Sequence, residues 1–307
     1  MVATMRKALY FLLPFAAVVY PAHATLDLYD SFNYPTTNVQ LSVAASPTWV
    51  AYAGGGVNPT NISGSLSFPG LQTASGDNSV QWNGVATTGI AARNLSTLYN
   101  INNVTTLYYS LTFKVQTIAT ADWGGSGNFL SGSFMGGFNQ KLQNGTAQAQ
   151  ADVGAPILIR TGDPNNVSGT ANDFQQYQLG TGLTATSAQR VFDGTHNYNP
   201  GDTHFLVLSY TFNPVASDDV AKLYVDPTPG SAEGANTPVV TVTGGTEITG
   251  AQIQSMFLRN NSVEPQNTQM DDLRVGTTWA DVTPAVPEPS AAALLGLGAL
   301  GVMAIRR

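Results

Sequence analysis

Three observations predict an all-β fold, an antiparallel β-sandwich. Two stretches alternate with period two: Leu107, Tyr109, Leu111, Phe113 and Val115 against Tyr108, Ser110, Thr112 and Lys114, and likewise His204, Leu206, Leu208, Tyr210 and Phe212 against their neighbours. Such alternation gives a strand one buried face. Turn-forming clusters punctuate the chain, among them Gly54-Gly55-Gly56, Phe68-Pro69-Gly70, Gly162-Asp163-Pro164, Asn199-Pro200-Gly201 and Gly244-Gly245. Charged residues make up only 10% of the 307, alongside 31 glycines, a composition suited to short strands and polar turns.

Further strands are expected at Ser65 to Phe68, Ser79 to Trp82, Asn128 to Phe138, Pro156 to Arg160, Phe174 to Leu179, Val220 to Val225, Val239 to Val242, Gln252 to Leu258 and Met270 to Val275. No long amphipathic helix is evident. One domain of about a dozen strands over residues 25–284 fits this spacing. A split near Gly145 has no Pro/Ser linker or charge run to mark it.

The two ends carry a different pattern. Arg6 and Lys7 precede an apolar run from Ala8 to Tyr20, and Ala22 and Ala24 place small residues at −3 and −1. Residues 1–24 are therefore expected to be a signal helix, cut by signal peptidase after Ala24. At the other end Pro287, Glu288 and Pro289 precede an apolar run from Ala291 to Ile305, which stops at Arg306 and Arg307. A helix of that length reaches about 22 Å, short of the roughly 30 Å of bilayer hydrocarbon, so it predicts a short transmembrane helix inserted transiently. The arginine pair holds its end cytoplasmic and leaves the rest of the chain outside the inner membrane.

Of the twelve basic residues, Arg6, Lys7, Arg306 and Arg307 belong to these ends, leaving eight against nineteen acidic residues. That balance excludes nucleic acid as a partner, since phosphate binding needs clustered Lys and Arg. Cysteine is absent, which removes disulfides, thiolate metal sites and a cysteine nucleophile together.

Val286-Pro287-Glu288-Pro289, the apolar run and Arg306-Arg307 resemble the PEP-CTERM sorting tail of Gram-negative bacteria, also described as the C-terminal domain of ice-binding proteins. The resemblance implies a tail over residues 285–307 that an exosortase recognises in a membrane-anchored intermediate, with the product destined for the outer surface or a biofilm matrix. Leu107 to Leu111, Phe134 to Asn139, Leu223 to Pro227 and especially Met270 to Pro284 (MDDLRVGTTWADVTP) resemble concanavalin A-like, laminin-G-like jelly rolls. That similarity implies a jelly-roll sandwich and a carbohydrate ligand.

Little in the sequence points to catalysis. Some enzymes of this fold carry Glu-x-Asp-x-Glu on one strand, which sets two carboxylates about 5 Å apart. Here Glu233, Glu247, Glu264 and Glu288 are scattered, and Asp271 and Asp272 are adjacent, hence expected on opposite faces of a regular strand. Gly-x-Ser-x-Gly is absent. His204 is expected in the core and His196 in an exposed turn. No cofactor is implied except calcium, for which Asp163, Asn165 and Asn166 supply hard oxygens within four residues; Asp218-Asp219 form a second acidic turn. The same side chains also stabilise turns by local hydrogen bonds. Trp123 beside Gly124-Gly125 and Tyr198 in a Gly/Asn/Pro turn are the loop aromatics suited to stacking on a glycan. Trp279 is expected to be a lid closing the sandwich. Together these features predict a non-enzymatic, secreted envelope protein that binds extracellular polysaccharide. The alternatives are a divergent glycan hydrolase of the same fold and a purely structural matrix protein.

Overall fold

The computed structural model describes residues 26–52, 56–74, 76–82, 88–118, 132–142, 149–162, 176–261, 265 and 267–287. The expected signal helix and the apolar tail helix lie outside them. So do Ala22, Ala24, Trp123, Asp163, Asn165, Asn166, Glu288, Pro289, Arg306 and Arg307. Among the described residues no helix is long and apolar enough to cross a membrane.

The described residues form sixteen strands, numbered in chain order, in two sheets. The first sheet holds β1 (Leu28–Asp30), β2 (Val39–Gln40), β4 (Thr60–Ser63), β5 (Asn78–Trp82), β7 (Thr106–Val115), β12 (Thr203–Thr211), β13 (Val220–Val225), β14 (Val240–Thr243) and β16 (Thr268–Gly276). The second holds β3 (Val50–Ala51), β6 (Gly89–Asn100), β8 (Ser133–Asn139), β9 (Val153–Thr161), β10 (Tyr177–Thr181), β11 (Val191–Phe192) and β15 (Gln252–Asn260). Their orders are β14-β13-β12-β7-β16-β5-β4-β2, with β1 added to β16, and β11-β10-β9-β8-β15-β6-β3. Every ladder between these strands is antiparallel. The all-β antiparallel sandwich expected from the alternating stretches is the architecture observed.

The core forms where the inner faces meet. Leu107, Tyr109, Leu111 and Phe113 of β7 and Leu206, Leu208 and Tyr210 of β12 pack against Met135, Phe138, Ile157, Ile159 and Leu179 of the second sheet. Tyr109 meets Phe138 edge to face at 4.8 Å, and its buried hydroxyl donates to the carbonyl of Ala155 at 2.5 Å. Each such large side chain contributes about 1.5–3 kcal/mol through the water it sheds.

Three expectations are corrected. Ser65 to Phe68 is loop rather than strand. The longest strand, β6, was not expected, because its sequence GIAARNLSTLYN lacks sustained alternation. The supposed solvent face of β7 and β12 is also covered: Tyr108, Phe205, Val207 and Tyr224 pack with Leu71, Trp279 and Val282 in a second apolar cluster. Trp279 accordingly closes the outer face of the first sheet, not the space between the sheets.

Glu233 lies over that outer cluster. Tyr224 and Tyr108 donate their hydroxyls to it at 2.6 and 2.8 Å, and the Lys222 ammonium approaches to 3.3 Å. Burial alone would raise its carboxyl pKa; the two tyrosines and Lys222 outweigh this and hold it below the ordinary value. A depressed acid contributes stability above its unfolded pKa and loses it as pH falls through the folded one. Melting temperature should therefore drop as pH falls below about 4.5. Glu233→Gln should flatten that part of the pH profile, and an unchanged acid limb would show that the contacts contribute nothing.

Candidate functional site

Beyond β16 the chain turns into a single helical turn, α1 (Trp279–Val282). Thr278 starts it: its hydroxyl accepts from the Asp281 N–H at 3.3 Å, while Asp281 accepts from the Thr278 N–H at 3.0 Å. This reciprocal cap satisfies two donors that a helix start would otherwise leave open. The strand can approach the cap only because residue 276 is glycine, since a Cβ there would lie 2.5 Å from Asp281 Cβ.

The segment after α1 is held on the body of the sandwich by backbone bonds. The Gly230 N–H donates to Thr283, the Gln72 N–H to Pro284 and the Val286 N–H to Gly70, at 2.7, 2.9 and 3.0 Å. Leu71 and Ala285 form an antiparallel bridge. Gly230 has φ of +75°, and a Cβ on it would meet Ala285 Cβ at 2.7 Å, so both backbone and space favour glycine. A cleft of about 920 Å³ opens here, with Leu26, Tyr29, Gln72, Arg274, Asp281 and Pro287 in its walls. Leu26, just after the expected signal cleavage, and Pro287, the first residue of Pro-Glu-Pro, thus share one edge of the molecule. Pro287 and Val286 are exposed there.

Beneath the cleft, β16 is irregular. Its pairing with β7 jumps from Asp271↔Thr112 to Arg274↔Ser110, and Asp272 adopts φ of +53°. The bulge buries both aspartates completely, correcting the opposite-face expectation, which holds only for a regular pleat. Asp271 accepts from the Leu66 N–H at 2.8 Å and the Asp272 N–H at 2.7 Å. Asp272 accepts from the Tyr29 hydroxyl at 2.8 Å and the Ala74 N–H at 3.2 Å, and Arg274 stands 3.6 Å away. Burial, with the negative charges of Asp272 and Asp77, pushes Asp271 up to about 8 against the pull of its two N–H donors. Burial also raises Asp272, with Tyr29 and Arg274 opposing.

Tyr198 pairs with Tyr177 of β10 through an isolated antiparallel bridge. It is half-buried, tilted against Tyr177 at 5.8 Å and edge-on to His204 at 4.9 Å. Its hydroxyl donates to buried Asp193 at 2.9 Å. Burial opposes ionisation of Asp193, but bonds from Thr195, His196 and Tyr198 prevail and hold its pKa low. Amide pairs flank the ring, Gln178 donating to Asn197 and Gln176 to Asn199, both at 2.9 Å. A half-open ring beside amides is the arrangement that stacks on a sugar and hydrogen-bonds its hydroxyls.

The histidines are placed for structure. His196, its side chain 61% exposed, turns Nδ1 to both Asp193 at 2.7 Å and Thr195 at 2.9 Å. A catalytic triad needs acid and nucleophile on different ring nitrogens. His204 is buried and directs Nδ1 to Asp226 at 2.8 Å. Asp218, Asp219 and Glu247 approach within 4.8 Å of one another, but Glu247 accepts the N–H groups of both aspartates and Asp219 accepts from Tyr210 and Asn213. These acids close turns. Glu233 is likewise engaged, by Tyr224, Tyr108 and Lys222.

Fold and chain end together define a β-sandwich protein with a C-terminal sorting signal. Residues 285–307 match the PEP-CTERM protein-sorting motif. No curated protein sequence matches the chain. Among solved structures it is similar to domain 4 of AbnA, an extracellular arabinanase from Geobacillus stearothermophilus, in complex with arabinotriose (16% identity, TM-score 0.42, 85% of this chain and 97% of that one). It is also similar to the globular domain of T. cruzi calreticulin (11%, 0.42, 92% and 100%) and to lectin II from Ulex europaeus (13%, 0.38, 82% and 99%). No site residue or ligand follows from likenesses this distant.

Proposed function

We propose that this is an exported, non-enzymatic envelope protein whose residues 25–284 bind extracellular polysaccharide and whose residues 285–307 are read by an exosortase. The match of the tail to the sorting motif carries the reading. Signal peptidase cuts after Ala24, the tail inserts transiently in the inner membrane, and processing delivers the domain to the outer surface or matrix of a Gram-negative bacterium. The shared edge of Leu26 and Pro287 suits such a precursor, because both membrane-bound ends leave from one place.

Tyr198 is the described residue assigned to the glycan surface, with Trp123 as a second aromatic. Calcium at Asp163, Asn165 and Asn166 remains part of this reading. Tyr198→Ala in protein recovered from the native host should weaken binding to that host's polysaccharide about tenfold, the worth of roughly 1.4 kcal/mol. Affinity electrophoresis on gels cast with the polysaccharide measures this; equal retardation of variant and wild type would remove Tyr198 from the site.

A further inference from the structure

The surface around the cleft at the tail base is apolar, and its charges are turned inward. Tyr29 and Val286 are 41% and 52% exposed. Ala280, Ala285 and Pro287 are exposed beside them, and half-buried Leu26 shares the wall. The Tyr29 hydroxyl is taken by Asp272 at 2.8 Å, so what this residue offers to solvent is chiefly ring. The two charged residues in the walls are both buried. Asp281 caps α1, and Arg274 donates to the Asp272 and Gln72 carbonyls at 3.1 and 2.5 Å. In a chain with nineteen acidic residues against twelve basic ones, an exposed apolar face whose charges are withdrawn marks a place of contact.

The path of the chain beyond this face identifies what it meets. Residues 283–286 are bonded to the sandwich, and the apolar run begins at Ala291, four residues past Pro287. Four residues reach at most about 14 Å when fully extended. Of that, the headgroup layer takes roughly 6 Å. With the run inserted, Pro287 therefore stands within a few ångströms of the headgroups. Two sheets packed about 10 Å apart, with side chains on both outer faces, make a body thicker than this tether. The cleft face cannot be turned to the far side of the domain.

We infer that the face formed by Leu26, Tyr29, Ala280, Ala285, Val286 and Pro287 docks on the phospholipid surface while the tail is inserted. This rests on the reading of residues 285–307 as an inserted tail. Aromatic and aliphatic side chains are stabilised at the boundary between headgroups and acyl chains. A face with its carboxylates buried also meets anionic lipid without the repulsion that the acidic remainder of the chain would feel. Docking brings the start of Pro287-Glu288-Pro289 to the membrane interface.

The test uses the full-length chain in vesicles of phosphatidylethanolamine and phosphatidylglycerol, some of the lipid carrying a nitroxide at the headgroup boundary. Because cysteine is absent, one introduced thiol takes one environment-sensitive fluorophore. Ala280→Cys reports the face. Leu142→Cys reports the second sheet, since the Leu142 carbonyl accepts from Tyr52 of that sheet's apolar cluster. Leu297→Cys reports insertion of the tail. The label at 280 should shift to the blue and be quenched by the nitroxide, and the label at 142 should do neither. Adding Val286→Asp, or separately Tyr29→Ser, should reverse both changes at 280 while the label at 297 stays quenched; equal melting temperatures show that the fold is kept. A quenched label at 297 with 280 no more quenched than 142 overturns the docking face and leaves the tail reading standing. An unquenched label at 297 overturns both. Quenching at 280 that survives Val286→Asp and Tyr29→Ser alike reduces the contact to tethering and also overturns the inference.

Discussion

Replacing Glu288 by alanine is expected to abolish processing of the tail in the native host while leaving membrane insertion intact. Insertion depends on the apolar run Ala291 to Ile305 and on Arg306-Arg307, none of which changes. Recognition is proposed to rest on the segment before them, Pro287-Glu288-Pro289, because proline fixes φ and disfavours helix at the residue ahead of it. The structure adds a constraint on that segment. Backbone bonds hold residues 283–286 against Gly230 and the loop at Gly70–Gln72, so Pro287 emerges exposed at the surface of the sandwich without an intervening linker. Immunoblots of fractionated cells should show only the longer, membrane-bound form of Glu288→Ala. Deleting Ala291 to Ile305 should instead release unprocessed protein beyond the inner membrane. Wild-type processing of Glu288→Ala and of both proline variants would make the tail an ordinary anchor.

The tail was legible because a sorting signal is a linear message: charge, prolines and apolar length act in sequence order. The central strands β7 and β12 were legible for a related reason, since their inner faces report burial locally through period two. What covers their outer faces was not, because Trp279 arrives from some seventy residues beyond β12 and Leu71 from well before β7. Tyr108, Ser110 and Thr112 accordingly looked solvent-facing and are buried. The acidic cluster was hidden by a local rule applied where it fails. Adjacent Asp271 and Asp272 part ways only in a regular strand, and the left-handed φ of Asp272 breaks the alternation. Aspartate tolerates that conformation better than most residues, so Asp-Asp inside an apolar strand was the available signal. Tyr198 was found as a loop aromatic, but the amide pairs around it needed the fold to bring residues 176 and 178 beside 197 and 199.

Trp279→Ala should be among the most destabilising substitutions in the outer cluster, by about 3–5 kcal/mol. The indole is 7% exposed and lies edge-on to Tyr224 at 4.8 Å and Tyr108 at 6.2 Å. Its Nε1 donates to the Ser231 carbonyl at 2.9 Å, tying α1 to the loop that carries Glu233 and Gly230. Alanine removes the ring contacts, leaves a cavity over β13 and β7, and strands the Ser231 carbonyl. Trp279→Phe keeps most of the apolar contact and loses the N–H, so its cost should be nearer 1 kcal/mol. At roughly 2–4 °C per kcal/mol for a domain of this size, the alanine variant should melt about 10 °C below wild type and the phenylalanine variant within about 4 °C. The loss should also reach the sorting signal. With α1 no longer pinned, the bonds from Gly230 and Gln72 to residues 283 and 284 weaken, and limited proteolysis should cut between Thr283 and Pro287 in Trp279→Ala before it cuts wild type there. A melting temperature within a degree of wild type, with an unchanged cleavage pattern, would show that the tail base is held by the loop at Gly70–Gln72 alone.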